Sequence, residues 1–225
     1  MKIIYLLITI LLFVITSCTT NINNANEIAA DEIIERTIES KYYKITYNSV
    51  IFKKNEEPIS IINDSINRFI KLEIKTFINS IDDDIKELID SNDISGKYEL
   101  NIITNHYITT YGYISTIIEL NHYTLGAHGS SVFKSINFDI INNKFVNLHE
   151  LSDITNKNKL EKFNNLLNKY FVNKDSCFSV RPKIDKDFNI FTIQEDSIAI
   201  YFASYELGAY ACGSAKIMIP IKELP

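Results

Sequence analysis

The spacing of the apolar residues changes near residue 96, and this change is what most limits the fold. From Ile62 to Leu88 apolar residues recur every three or four positions, which predicts one long amphipathic helix. Pro58 precedes this segment, where proline suits the first turn of a helix. From Lys97 onward the interval becomes two, which predicts strands. A second, shorter amphipathic helix is predicted where the helical interval returns, over residues 160–171.

The order of these elements predicts an α+β fold. The predicted strands span residues 42–52, 98–106, 113–123, 132–140, 145–148, 188–193, 198–203 and 215–219. Such hairpins form antiparallel sheets, and we expect the long helix and the shorter helix to pack on them. Each half of the chain pairs a helix with a small sheet. One interpretation is therefore a degenerate repeat of two halves, with a sub-boundary near residues 125–130. We expect residues 41–225 to form the folded domain.

The first 18 residues predict export from the cytoplasm. Lys2 provides a positive start, residues 3–15 are almost entirely apolar, and Ile15-Thr16-Ser17-Cys18 follows. About 13 apolar residues make a helix of about 20 Å, too short for about 30 Å of bilayer hydrocarbon. An aliphatic residue, two small residues and a cysteine resemble the lipobox of bacterial lipoproteins, in which the cysteine is acylated. An ordinary signal peptide with a chance cysteine is the alternative.

These features predict three segments with different roles. Residues 1–17 are expected to be a lipoprotein signal peptide, and Cys18 is expected to carry the lipid. Residues 18–40 are polar and rich in asparagine, which predicts a tether between the lipid and the domain. The protein is therefore expected in the bacterial cell envelope, anchored by lipid on the periplasmic face of a membrane or at the cell surface.

The charge of the chain limits its partners. Lysine and arginine number 23 and aspartate and glutamate 28; removing Lys2 with the signal leaves 22 against 28, a charge of −6. A nucleic-acid binder needs a concentrated basic surface, so this class is excluded. A mildly acidic surface favours a cationic soluble partner.

The cysteines leave one pairing open. With Cys18 assigned to lipid, Cys177 and Cys212 remain, and outside the cytoplasm they either form a disulfide or stay as two separate buried thiols. Cysteines this far apart, without a CxxC motif or paired histidines, do not predict a metal site. We predict no cofactor.

Two loops contain most of the unusual local chemistry. One is Tyr123-Thr124-Leu125-Gly126-Ala127-His128-Gly129, whose small residues permit a sharp turn with open backbone amides. The other is Tyr205-Glu206-Leu207-Gly208-Ala209-Tyr210-Ala211-Cys212-Gly213, which places two tyrosines and a carboxylate between apolar strands. Tyrosine is well suited to stack on sugar rings or to anchor a protein partner.

The two loops form part of a longer pattern. It comprises, in order, Tyr123 to Gly129, Asn137-Phe138-Asp139-Ile140 with Leu148-His149-Glu150-Leu151, and Tyr205 to Gly213 before Ile217-Met218-Ile219-Pro220. In combination these segments resemble the extracytoplasmic domain family shared by the anti-sigma factor RsiV and the non-catalytic region of the peptidoglycan deacetylase PdaC. The resemblance covers roughly Tyr42 to the C-terminus and departs at Leu125, where the family has glycine. It implies a cell-envelope module. In RsiV this module has a role similar to that of a lysozyme receptor, and in PdaC it accompanies an enzyme that acts on glycan.

We therefore expect a binding module for a glycan-related target, either peptidoglycan or a lysozyme-like protein, rather than an enzyme. One alternative is a hydrolase of unfamiliar type acting on cell-wall material, in which His128 is a general base oriented by Glu206 or Asp139. Another is a structural envelope lipoprotein. The predicted binding residues are Tyr123, Gly126, Ala127, His128 and Gly129 in the first loop and Tyr205, Glu206, Tyr210 and Gly213 in the second.

Overall fold

A computed structural model describes residues 28–225 of the chain, except 92, 94, 174 and 175. The predicted signal peptide, the lipidation site Cys18 and the first part of the predicted tether lie outside the described residues. Within the described ranges, no helix is both long enough and apolar enough to cross a membrane.

The predicted α+β class is confirmed. The strands are β1 (Ile28–Glu39), β2 (Tyr43–Lys54), β3 (Glu57–Pro58), β4 (Tyr98–Ile108), β5 (Tyr113–Tyr123), β6 (Ser130–Asp139), β7 (Lys144–Phe145), β8 (Phe191–Ile193), β9 (Ser197–Phe202) and β10 (Ala215–Pro220). The helices are α1 (Ser60–Asn79), α2 (Asp83–Asp90), α3 (Leu148–Ser152) and α4 (Lys157–Tyr170).

The N-terminal part of the chain forms a large sheet with helices on one face. Its strand order is β1-β2-β4-β5-β6-β7, and β3 pairs with β2. Strands β2 and β4 are parallel because α1 and α2 connect them across one face, and the other neighbours are antiparallel. The first core lies between this face and the helices. Its fully buried side chains include Ile45, Phe52, Ile62, Ile66, Ile114, Ile118 and Phe138.

The predicted long helix is two helices. The chain leaves the helix after Asn79, and Asp82 starts α2 by accepting a hydrogen bond of 2.9 Å from the Ile85 amide. This capping of a free N–H group explains why an aspartate stands at the break. Pro58 lies in β3 and not in the first turn of α1, which begins at Ser60.

The prediction of a tether over residues 18–40 is wrong for residues 28–39. Residues 28–39 are β1, which pairs antiparallel with β2 from Ile28↔Lys54 to Glu39↔Lys44. The strand is at the edge of the sheet and carries exposed charged side chains, which natural edge strands use to avoid pairing with other chains. Its polar composition therefore reflects its place in the sheet and not an absence of structure.

The C-terminal part forms a smaller sheet, with strand order β10-β9-β8 and a second core. Leu148, Phe163 and Leu167 from α3 and α4 are fully buried against Ile198 and Ile219 of this sheet. The predicted strand over residues 145–148 is wrong at its end, because Leu148 starts α3. A capping box made by Asn147 and Glu150 stabilises this start.

Residues 125–130 do not separate two halves. Residues 125–129 lie in the hairpin connection of β5 and β6 and Ser130 begins β6, and the two strands pair continuously from Tyr113↔Asp139 to His122↔Ser130. The predicted sub-boundary is therefore wrong, since these two strands belong to one sheet.

A buried polar joint connects the two sheets, and it consists of Ser115, Ser135 and Asn137. Asn137 donates to the Phe191 carbonyl at 3.0 Å and accepts from the Ser115 hydroxyl at 2.6 Å. Ser115 in turn accepts from the Ile193 amide at 2.8 Å. Backbone groups of the edge strand β8 are thus satisfied by side chains on the face of the large sheet, and this fixes how the two sheets meet.

Candidate functional site

An open groove of about 470 Å³ lies on the face of the large sheet that the helices leave uncovered. The sheet provides its floor and the loop between β9 and β10 provides one wall. The groove is lined by Glu99, Asn101, Glu119, Asn121, His122, Tyr123, Gly129, Ser130, Ser131, Ser204, Tyr210, Gly213 and Ser214.

Strand alternation places the polar floor residues side by side. Asn101 of β4 is opposite Asn121 of β5, which is opposite Ser131 of β6. Because successive side chains of a strand point to opposite faces, these three share the face on which Glu99 and Glu119 also lie. Thr46 donates to the Asn101 side chain at 2.9 Å and extends the polar row to β2.

The loop joining β5 and β6 approaches its own strand so closely that glycine is required. A Cβ added at Gly129 would lie 2.6 Å from the His122 carbonyl oxygen, a distance that real structures do not show. Leu125 in the same loop has φ of 61°, in the left-handed region that favours glycine. Its side chain packs on Gly96, where an added Cβ would lie 2.9 Å from it. This packing holds a strained leucine in place.

The closing loop, residues 203–214, runs between the paired ends of β9 and β10, Phe202 and Ala215. In its first half, Leu207 is buried in the second core. Glu206 accepts a hydrogen bond of 2.5 Å from the Ala203 amide, so this carboxylate stabilises its own turn. The second half contains a 3-10 turn over Tyr210–Cys212.

Cys177 and Cys212 are joined by a disulfide that holds the second half of the closing loop. Beside it, Gly208 pairs with Phe178 in an isolated bridge and the Val180 amide donates to the Leu207 carbonyl at 2.9 Å. A Cβ at Gly208 would lie 3.2 Å from the Cys177 carbonyl oxygen. The closing loop and the segment 177–180 are therefore in close backbone contact.

The two loops meet in an aromatic cluster made by His128, Tyr205 and Tyr210. The His128 and Tyr210 rings are stacked, with centroids 4.6 Å apart and planes 16° apart. The Tyr205 ring centroid lies 5.6 Å from each of the other two. The Tyr205 hydroxyl lies 2.6 Å from His128 Nε2, and His128 Nδ1 lies 3.2 Å from the Gly129 carbonyl oxygen. A neutral imidazole satisfies both contacts, with Nδ1–H donating to the carbonyl and Nε2 accepting from the hydroxyl.

These contacts do not make a general base. Among the described residues, no carboxylate hydrogen-bonds or ion-pairs with His128. Glu206 is bound to Ala203, and Asp139 accepts from Asn142 in the hairpin before β7. The partners proposed for a catalytic His128 are thus engaged elsewhere.

The groove is acidic, and the pKa of His122, whose side chain points from the floor strand β5 toward the helices, is shifted. The carboxylates of Glu99 and Glu119 have no hydrogen bond or ion pair with other described residues, and the lining contains no lysine or arginine. Burial lowers the pKa of His122, although Glu73 opposes the shift. The His122 ring stacks on Phe77 at 6.0 Å, so its neutral form is favoured beside the first core. Nowhere in the described ranges do three or more histidines, cysteines or acidic residues come together as a set of metal ligands.

The structure brings most of the predicted site residues together. Tyr123, Gly129, Tyr210 and Gly213 line the groove, and His128 and Tyr205 contact the Tyr210 ring without lining it. Gly126, Ala127 and Glu206 are exposed and do not line it.

The floor of the groove was not predicted from the sequence. It includes Glu99, Asn101, Glu119, Asn121 and Ser131. The sequence feature that could have indicated them is a series of polar residues at intervals of two along β4, β5 and β6, on the outward face of each strand and next to both loops.

Comparison with known proteins supports the fold and the resemblance. Residues 138–222 match the model of a family described as a protein of unknown function, DUF3298. The peptidoglycan-N-acetylmuramic acid deacetylase PdaC of Bacillus subtilis is 26% identical over 197 residues. The match covers 84% of this chain and 39% of PdaC, so the chain spans about two-fifths of its relative. The resemblance to PdaC that the loops indicate is confirmed.

Two crystal structures of DUF3298 family proteins share the architecture. The one from Bacteroides fragilis has a TM-score of 0.60 and 16% identity, covering 88% of this chain and 91% of that one. The one from Pseudomonas aeruginosa has a TM-score of 0.51 and 12% identity, with the same coverage of 88% and 91%. The common fold therefore extends over nearly the whole described chain, beyond the segment that the family model matches.

Proposed function

We propose that this protein is a cell-envelope module that binds peptidoglycan glycan in the groove, because residues 138–222 match the DUF3298 family model and the chain is similar to the peptidoglycan deacetylase PdaC. It is a binding module, and no catalytic step is assigned to it. The groove is the observation that carries the proposal.

The lining of the groove suits a sugar. Asn101, Asn121 and Ser131 form a polar row, and amide and hydroxyl groups can both donate and accept hydrogen bonds to sugar hydroxyls. Tyr123 and Tyr210 stand beside this row and provide flat apolar surfaces at low entropic cost. A few convergent polar groups with aromatic walls are typical of a ligand site that fixes the orientation of its ligand.

The charge of the groove limits the form of the ligand. Glu99 and Glu119 line it without a described cationic partner, whereas Glu39, Glu150 and Glu223 elsewhere are each ion-paired with a lysine. Both carboxylates would repel an anionic ligand, and no lysine or arginine lines the groove to offset this repulsion. The site therefore favours a neutral or cationic glycan.

Calorimetry with neutral chito-oligosaccharides tests the proposal, and purified muropeptides, whose peptides carry carboxylates, should bind more weakly in the same assay. Asn121→Ala and Tyr210→Ala should each weaken binding about tenfold, as expected for a lost hydrogen-bonding or stacking contact. Tyr111→Ala is the matched control, because Tyr111 is 59% exposed at the opposite end of the β4–β5 hairpin. Absence of binding to either glycan at millimolar concentration, with the folded wild type, would exclude the proposal.

A cationic protein such as a lysozyme is the second candidate, favoured by the same unpaired carboxylates and by the acidic balance of the chain. A protein partner would bury about 800 Å² on each side, more than the groove floor alone provides. Its binding should weaken steeply with salt and with Glu99→Gln, whereas binding of a neutral oligosaccharide should depend little on salt.

We also propose that Cys18 is acylated and holds the domain at a membrane of the envelope. The lipobox-like Ile15-Thr16-Ser17-Cys18 supports this. Growth with a labelled fatty acid should label the wild-type protein and leave Cys18→Ala unlabelled. Equal labelling of both proteins, or of neither, would refute the anchor.

A further inference from the structure

We infer that the disulfide Cys177–Cys212 is a positioning element for Tyr210, and that it holds the groove wall independently of the contacts that hold Tyr205. The inference concerns the architecture of the loop and is tested without a ligand. Its consequence for affinity rests on the proposed function.

The first half of the closing loop has its own attachments. Leu207 is 3% exposed within the second core, and Glu206 caps the turn by accepting from the Ala203 amide. The Ser204 side chain hydrogen-bonds Ser131 of β6 at 3.1 Å. Tyr205 lies among these residues, so its position beside His128 does not depend on the disulfide.

The second half has fewer attachments. Tyr210 begins the 3-10 turn and Cys212 ends it, and the hydrogen bonds from the Cys212 and Gly213 amides stay inside this turn, at 2.9 Å each. No residue of the turn is buried. The disulfide therefore adds to the backbone a cross-link between the turn and the segment around Cys177, and the stack of Tyr210 on His128 is the main side-chain contact that accompanies it.

The other end of the disulfide is anchored. The Asn173 side chain accepts from the Phe178 amide at 2.9 Å and donates to the Phe178 carbonyl at 2.7 Å. Phe178 also packs against Phe171 at the end of α4, with ring centroids 5.5 Å apart and planes 52° apart. Cys177 is thus attached to a braced segment, and it is exposed enough for a reductant to reach the bond.

Cleaving the disulfide should therefore release Tyr210 and leave Tyr205 in place. Dithiothreitol supplies two electrons and two protons to the S–S bond, which becomes two thiols while the reductant becomes its cyclic disulfide. Without this bond, the turn is still flanked by the Gly208–Phe178 bridge and by β10, but its own hydrogen bonds are local and exposed, and such segments open at low free energy.

The experiment uses the full chain with Cys18→Ser, so that Cys177 and Cys212 are the remaining cysteines. Hydrogen exchange is followed before and after reduction. The Cys212 and Gly213 amides should exchange at least about tenfold faster, while the Glu206 and Val180 amides keep their protection. A Cys177→Ser/Cys212→Ser variant, which has no disulfide, is the control for other effects of the reductant. If that variant does not fold, the comparison of the folded protein before and after reduction still tests the inference.

A second measurement asks whether the effect passes through Tyr210. The imidazole signals of His128 after reduction should match those of oxidised Tyr210→Ala, because both lose the same ring stack. Reduction of Tyr210→Ala should then change these signals no further. Unchanged His128 signals and unchanged protection at Cys212 and Gly213 would overturn the inference, and so would equal loss of protection at Glu206.

Affinity is measured last. If the groove binds glycan as proposed, reduction should weaken binding as much as Tyr210→Ala does, and the two changes should not add. Additive losses would contradict the positioning role of the disulfide. If no glycan binds at all, the proposed function fails while the exchange and imidazole results still decide the inference.

Discussion

Asn137→Ala should lower the stability of the whole molecule more than its size suggests. Asn137 is 3% exposed and belongs to the polar joint between the two sheets. It donates to the Phe191 carbonyl and accepts from the Ser115 hydroxyl. Alanine removes both contacts, in a place where water has little access to replace them.

The size of the effect follows from these two contacts. Each buried group left without its partner costs about 1–3 kcal/mol. The Phe191 carbonyl and the Ser115 hydroxyl are both affected, so we expect a loss of about 2–4 kcal/mol in the free energy of unfolding. This is a large part of the about 5–15 kcal/mol by which domains are stable.

Urea denaturation measures this loss. With a slope of about 2 kcal/mol per molar, the midpoint should fall by about 1–2 M. Asn121→Ala is the matched control: it changes the same residue type on the groove floor, where the side chain makes no hydrogen bond to described residues. It should stay within about 0.5 kcal/mol of the wild type. A loss below about 0.5 kcal/mol for Asn137→Ala would show that the joint does not hold the sheets together as we argue.

Three further predictions concern the surroundings of the groove and the first core. Gly129→Ala should cost about 1–3 kcal/mol in the same urea assay, because its Cβ would lie 2.6 Å from the His122 carbonyl oxygen, whereas Gly126→Ala, with 3.9 Å to its nearest neighbour, should be nearly neutral. Burial lowers the pKa of His122, so the unfolded chain binds a proton at this histidine more readily than the folded protein does. The contribution of neutral His122 to the free energy of unfolding is therefore complete above about pH 6.5 and is lost as the pH falls through the folded pKa. His122→Gln should reduce this loss of stability at low pH. Asn63→Ala should cost about 2–4 kcal/mol, since its buried amide accepts from the Phe52 amide and donates to the Phe52 carbonyl, both at 2.9 Å; a midpoint equal to that of the wild type would contradict this.

The sequence predicts a helix or strand well where the spacing of its apolar residues fits only one of these two structures. The strand β5 lies where alternation places it, over Tyr113–Tyr123. The break between α1 and α2 is invisible to this reasoning, because Ile81 and Ile85 continue the helical interval across it. The signal that marks the break is Asp82, whose capping role depends on where its side chain points.

The loops of the candidate site could be predicted, and its floor could not. Gly129 and Tyr210 are conspicuous because they stand in short runs of small residues, which are unusual between segments of strand formers. Asn101 and Asn121 look like ordinary solvated positions of a strand, and their importance arises only when two strands and a loop place them in one groove. Pairing between distant segments decides this, and a local pattern carries no information about it.

The groove itself follows from how the two sheets meet. The small sheet covers only part of the exposed face of the large sheet, where Ser115, Ile117 and Asn137 are buried beneath it. Further along the same strand β5, Glu119 and Asn121 remain open, and the closing loop extends over them from the end of β9. The depth of the groove therefore depends on the polar joint, although none of the joint residues lines it. A change in the joint that preserves folding should alter ligand affinity through the position of Tyr210, with the floor residues left in register.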